Sequence, residues 1–172
     1  MSATRPLPGQ GNNSFAISLA LLLIRIALAW VFIFHGAQKV FGAFDGPGMD
    51  KFIQGMTAMN LPLLPPAAWA WMAALGEFLG GVFIGIGLLS RLASLPLIVT
   101  MLVAIATVHG KNGFSSQHGG YEYNMVLAAM SGAILLAGPG LLSIDAFIFR
   151  KGFYSCGAQP LDNPTTREAL TK

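Results

Sequence analysis

Two histidines, a lysine and a glutamate stand where apolar stretches of this chain begin or end, and their types suit proton exchange with a polar ligand. His35 and Lys39 are four residues apart, so a helix through them carries both on one face. His109 closes a later apolar stretch, and Glu122 opens the next. Imidazole beside carboxylate donates and accepts protons near neutral pH, which is what the carbonyl of a benzoquinone needs from a binding site. His35, His109 and Glu122 would also suit zinc or non-haem iron. Three ligands on three helices without a local spacing motif are a weak signal, however, and no metal is expected. The third reading of the same residues is anchoring, with polar groups fixing helix ends at the membrane surface.

Two more charges lie inside apolar stretches, Arg25 within Phe15–Phe34 and Glu77 within Ala67–Leu89. A lone charge at membrane depth costs at least about 2.5–3.5 kcal/mol on insertion scales. An acid and a base at matching depth are therefore expected to form a buried ion pair, Arg25–Glu77. Such a pair either fixes which helix faces which or takes part in a proton path.

The elements that must hold these groups are apolar helices. Hydrophobic residues make up 54% of the 172-residue chain and charged residues 10%, a composition of the membrane class. The expected fold is all-α, a bundle of four transmembrane helices. The spans run from about Phe15 to Gln38, Ala67 to Leu89, Leu92 to His109 and Tyr121 to Ala137, the last stopped by Gly138-Pro139-Gly140. Pro96 is read as lying in the first turn of its span, where a missing amide donor costs little. The piece Leu141–Phe149 is too short to span and is expected at the interface. A polar amino-terminal segment, 1–14, and a polar tail, 150–172, flank the membrane domain, 15–149.

Between the first two spans, Met49, Phe52, Ile53, Met56 and Met59 recur at three- and four-residue steps. They mark a short amphipathic helix in the first extracytoplasmic loop, ended by the prolines after Asn60. Methionines on such a face read as packing rather than copper ligands. The glycines of span two, with the pairs Gly76/Gly80 and Gly81/Gly85, let backbones approach closely and are read as the inner seam of the bundle or a dock for another subunit.

Arg5, Arg91, Arg150, Lys151, Arg167 and Lys172 fall on one side of this topology, and Lys39, Lys51 and Lys111 on the other. Six against three puts both termini in the cytoplasm of a bacterial inner membrane protein. The formal charge of +3 forms no basic patch interleaved with aromatics, so nucleic acid is not an expected partner. The single cysteine, Cys156, has no partner for a disulfide and no CxxC spacing. One short bundle without broken helices or an internal repeat argues against a transporter.

Taken in order, these segments resemble the DoxX family. Arg25 followed by Phe34-His35-Gly36-Ala37-Gln38-Lys39 is similar to its first span, and Gly76-Glu77-Phe78-Leu79-Gly80-Gly81 with Gly85-Ile86-Gly87-Leu88 and Arg91 to its second. Val108-His109-Gly110-Lys111-Asn112-Gly113-Phe114, then Glu122, resembles its third loop. Gly138-Pro139-Gly140 with Leu142-Ser143-Ile144-Asp145 resembles its closing motif. The resemblance implies a four-span inner-membrane protein associated with redox processes, including oxidative and thiol stress. It carries over Arg25, His35, Lys39, Glu77, His109 and Glu122 as functional or architectural positions. Together with the residues, it points to a subunit of a quinone-linked oxidoreductase that touches quinone at its outer end and packs against partner proteins or its own copies in the bilayer. The rival expectation is a non-catalytic scaffold that packs against partner transmembrane helices.

Overall fold

The structure, a computed structural model, describes the backbone over residues 10–148 and side chains from residue 14 onward. Most of the expected polar amino-terminal segment, and the whole tail with Cys156, lie outside the described residues. Within them the secondary structure is helical only: α1 Gln10–Val40, α2 Gly48–Met59, α3 Pro66–Ile86, α4 Ser90–Ala104, α5 Glu122–Ala137 and α6 Ile144–Ile148. The helix of α4 does not stop at Ala104. It widens into a π-helical turn, Ile105–His109, and tightens into a 3₁₀ turn, Gly110–Asn112. Three helical segments are long and apolar enough to cross a membrane: Ser14–Val40, Pro66–Ile86 and Ser90–Asn112. The 16-residue α5 is apolar but shorter.

Local chemistry explains the breaks. Pro66 opens α3 at a position whose amide would be unpaired anyway. Asn60 closes α2 in the left-handed conformation, at φ 47°. Gly87 closes α3 at φ 73°, and a Cβ there would collide with the Arg25 guanidinium and Ser143. The αL backbone and the crowding both demand glycine. Pro96 is the seventh residue of α4 rather than part of its first turn, so its missing amide interrupts the helix interior. Asp145 closes the same α3–α4 connection from outside. Its carboxylate accepts the amides of Leu89 (2.7 Å) and Ser90 (3.0 Å), the unpaired donors at the start of α4.

Neighbouring helices pack in sequence, α1 on α3, α3 on α4 and α4 on α5, with α2 lying against α3. Their shared core includes Leu28, Phe32, Ile84, Leu97, Met101, Leu127 and Ile134. The span-two glycines serve these internal seams. A Cβ on Gly36 would stand 2.6 Å from the Phe78 backbone nitrogen, and one on Gly81 2.9 Å from that of Ile33. On the other side of α3, a Cβ on Gly80 would meet Leu97 at 2.9 Å and one on Gly76 would meet Pro96 at 3.3 Å. The α1–α3 contact is therefore backbone against backbone, and its register is fixed by small residues.

That register corrects the expected Arg25–Glu77 pair, which does not form. Opposing Gly36 with Phe78 and Ala29 with Gly85 sets Glu77 level with Ala37. At 1.5 Å per residue this is about 18 Å along α1 from Arg25. Arg25, 1% exposed, instead donates Nε to the Ile84 carbonyl (2.8 Å), Nη2 to Gly85 (2.8 Å), and Nη1 to Pro139 (3.0 Å) and Leu142 (2.7 Å). Those acceptors are carbonyls of the last turn of α3, where the helix dipole is negative and Ile84 also accepts the Gly87 amide, and of the loop after α5. One guanidinium fork thus ties three segments together at the end of the bundle where α1 starts and α6 lies.

Arg25→Leu is expected to lower the thermal midpoint in detergent sharply, because each carbonyl left bare costs about 1–3 kcal/mol. Arg25→Lys, with one ammonium in place of the planar fork, should recover only part of the loss. Adding Glu77→Gln to Arg25→Leu should recover none. Rescue by that second change would mean that the two charges do act as a pair.

Candidate functional site

Glu77 sits near the middle of α3, 1% exposed, and its partner is Lys39 on the last turn of α1. The sequence places Lys39 one turn past His35; the α1–α3 register then carries its ammonium onto the Glu77 Oε2. The lysine side chain is 21% exposed and the glutamate 2%, so the pair runs from the bundle interior toward its end. The Lys39 ammonium also lies 5.3 Å from the centre of the Phe52 ring on α2, a cation–π contact that ties the amphipathic helix to the pair.

Two cavities meet at this pair. The larger, about 480 Å³, is walled by α2, α3, α4 and the π turn, with Phe52, Met56, Trp69, Met72 and Val99 among its mostly apolar residues. Met72, Leu95 and Val99 on its wall also reach the outer surface between α3 and α4. The smaller, about 390 Å³, lies between α1, α5 and the π turn and is lined by His35, Ser116, Tyr123 and Asn124 as well as Phe32, Met101 and Leu127. Lys39, Glu77, Ala104 and His109 belong to both walls. The arrangement joins an apolar compartment to one richer in polar side chains across a single charged pair.

Both histidines have a defined hydrogen-bond direction. His109 Nδ1 stands 2.7 Å from the Gly119 carbonyl, which only accepts, so Nδ1 carries the proton and Nε2 of the neutral ring accepts. Asn112 donates to the same carbonyl at 3.1 Å, which holds the Gly119 turn beside the imidazole. His35 Nδ1 lies 3.1 Å from Gln38 Oε1, and Gln38 gives its amide hydrogen to the Phe44 carbonyl, so His35 likewise donates through Nδ1. The π turn is what brings His109 to this wall. Its wide i→i+5 bond, Gly110 amide to Ile105 carbonyl, admits no Cβ at residue 110, where one would stand 2.7 Å from that carbonyl. Such turns are rare and occur often at functional positions.

Of the residues singled out from the sequence, His35, Lys39, Glu77 and His109 come together around the polar cavity. Arg25 does not, since it caps carbonyls at the opposite end. Glu122 begins α5 nearby but does not line either cavity; it accepts a hydrogen bond from Ser116 Oγ at 2.8 Å. Among the described residues no three His, Cys, Asp or Glu side chains gather as a metal-binding group. The sequence reading passed over Asn124. A signal for Asn124 was present, since Asn124, Leu127, Ser131 and Ile134 recur at three- and four-residue steps and all four are buried.

Lys39→Met should destabilise the fold by about 3–5 kcal/mol, because it strands a buried carboxylate, whereas Lys39→Met with Glu77→Leu should be close to neutral. Unfolding of the two single variants and the double variant in one detergent measures this. A double variant no more stable than the sum of the singles predicts would remove the pair from the account.

The sequence profile of the DoxX family matches residues 20–110, which contain α2, α3 and α4, the π turn and all of α1 from residue 20 on. A Bacillus subtilis (strain 168) protein named "Putative oxidoreductase CatD" is 31% identical over 139 residues, covering 81% of this chain and 92% of that protein. An uncharacterized protein of Haemophilus influenzae is 29% identical over 131 residues, 76% of this chain and 83% of its own length. No solved structure matches. With three helical segments long and apolar enough to cross a bilayer, the chain is a membrane protein, and it belongs to the DoxX family.

Proposed function

We propose that this protein is a four-span subunit of a redox complex in the bacterial inner membrane and that its Lys39–Glu77–His109 site takes up a quinone. The observation that carries the reading is the shared wall: the same three side chains border an apolar cavity and a polar one. A quinone is built the same way, with a polar ring on an isoprenoid tail. The tail lies in the compartment of Met72, Val99 and Trp69, whose rim reaches the lipid-facing surface, and the ring lies against His109 and Lys39. An ion pair out of water and an imidazole with a free Nε2 can hold and move a proton at a ring oxygen. The oxidoreductase name of the Bacillus relative agrees with a redox role. In this reading α5 is the fourth span, both termini are cytoplasmic, and the site opens at the outer end beneath α2.

The rival reading, a scaffold that packs against partner helices, has a specific difficulty. The glycines that would grip a partner are already in contact with α1 and α4. A scaffold would have to use another face, such as the exposed apolar residues of α4 and α5. Association with partner proteins or further copies is compatible with either reading.

In lipid nanodiscs, a short-chain quinone should bind the wild-type protein, and His109→Ala at matched thermal stability should weaken it about tenfold, a loss of about 1.4 kcal/mol. Equal binding by both, or none by either, would leave the scaffold as the better reading. Topology has its own test. In a Cys156→Ser background, a cysteine introduced at Gln54 on the exposed side of α2 should react with an impermeant maleimide from outside intact cells. Reaction only after the cytoplasmic side is opened would invert the orientation and place the site at the inner surface.

A further inference from the structure

The polar cavity holds an uneven set of hydrogen-bonding groups. Asn124 is 8% exposed, and its Nδ2 has one partner, the Met101 sulfur at 3.5 Å. A thioether only accepts, so the amide nitrogen must face it and Oδ1 must face away. Among the described residues Oδ1 has no donor. Glu77 meets Lys39 through Oε2 alone, which leaves Oε1 without a protein donor. His35 and His109 both spend their Nδ1 hydrogens on carbonyl oxygens, so each neutral ring offers Nε2 as an acceptor. Four residues that line one cavity thus present acceptors with no donor among the described residues. Against them stand the remaining ammonium hydrogens of Lys39, the second Nδ2 hydrogen of Asn124 and the Tyr123 hydroxyl, fewer than the lone pairs those acceptors offer. Acceptors predominate.

Resting on the quinone reading above, we infer that the site recognises the reduced, hydroquinone form in preference to the oxidised quinone, with Asn124 Oδ1 as the residue that discriminates. The two redox forms share ring and tail and differ in hydrogen-bonding type. A quinone oxygen only accepts, so it can satisfy Lys39 or Tyr123 but leaves Asn124 Oδ1, Glu77 Oε1 and the imidazole nitrogens bare once the ring displaces water from them. A hydroquinone brings two O–H donors and keeps its acceptor lone pairs. It can donate to two of the cavity's acceptors and still accept from Lys39. Leaving a buried acceptor unpaired costs more than a made bond gains, so the discrimination comes mainly from what the quinone fails to satisfy. Asn124 is the position where this matters most, because the residue is buried and among the described residues no donor is bonded to its oxygen, whereas Glu77 already has a counter-charge.

The full-length protein in nanodiscs, titrated calorimetrically with a short-chain benzoquinone and, anaerobically, with its two-electron-reduced hydroquinone, tests this. The hydroquinone should bind the wild type at least about fivefold more tightly, the size expected of one or two satisfied acceptors. In Asn124→Leu, which keeps the volume and removes the oxygen, the preference should fall to about one. Equal affinities in the wild type, or tighter quinone, would overturn the inference and leave the quinone site itself standing. A preference that persists in Asn124→Leu would take the discrimination away from Asn124. Binding of neither form would overturn the site and the inference together.

Discussion

The rest of this fold depends on the backbone contact between α1 and α3. In lipid there is no hydrophobic force to press two apolar helices together, so their approach must come from close packing, and close packing requires residues without side chains at the crossing. Gly36 and Gly81 meet that need from both helices, within reach of Phe78 and Ile33 backbone atoms. Because the contact is made by backbone, it tolerates one register only. That register then assigns both intramembrane charges at once. It brings Lys39 to Glu77 near one end of the bundle, and it brings Arg25 to the last carbonyls of α3 near the other. Neither charge is left to face lipid, and the two ends are held by different chemistry, an ion pair at one and a ring of carbonyls at the other.

Much of this was legible in the sequence, and the part that was not has a physical cause. The helices, their approximate ends and the amphipathic face of α2 follow from apolar length, Pro66, Gly87 and the recurrence of Met49, Phe52, Ile53, Met56 and Met59. The grouping of His35, Lys39 and His109 at one end follows from strict alternation of helix direction. Stagger between helices does not follow. Hydropathy locates a charge within its own helix but says nothing of how far that helix slides past its neighbour. Here α1 starts at Gln10, well before the expected Phe15, so Arg25 is farther from the start of its helix than its place in the apolar run implies. Matching Arg25 to Glu77 by depth was therefore unsafe, whereas the α1–α3 glycine contacts set Glu77 level with Ala37, within reach of the long Lys39 side chain. Asn124 was missed for a simpler reason. A search built on charge ignores an amide, although a bare carboxamide inside an apolar span also demands a partner.

The π turn at Ile105–His109 is the other feature without a clear sequence signature, and it links backbone geometry to the site. A regular α-helix continued through residue 109 would advance each side chain by about 100°. Inserting one i→i+5 turn holds the helix back by part of a residue and changes the face that His109 presents. It follows an interior proline, Pro96, which has already loosened the bonding of α4, and it ends at Gly110, where only glycine allows the Ile105 carbonyl to come so near. At the end of this irregular turn, one imidazole borders both cavities.

The two cavities, in turn, make sense only together with the solvent. In water, a bare carboxamide or imidazole nitrogen costs little because water replaces any missing partner. At the end of a bundle sheathed in lipid, with α2 across it and its Phe52 ring over Lys39, that replacement is restricted to whatever the cavity admits. A protein that only needed to anchor helix ends would be expected to close such groups on one another, as Ser116 and Glu122 do nearby. Lys39, His109 and Asn124 do so incompletely. The ammonium has donors to spare, the imidazole keeps a lone pair, and the carboxamide meets nothing better than a thioether. In the reading proposed above, groups left short of their hydrogen-bonding capacity in this way await a molecule that supplies the remainder. On that proposal the remainder is a small polar ring, and the apolar compartment beside it would take what such a ring carries in a membrane.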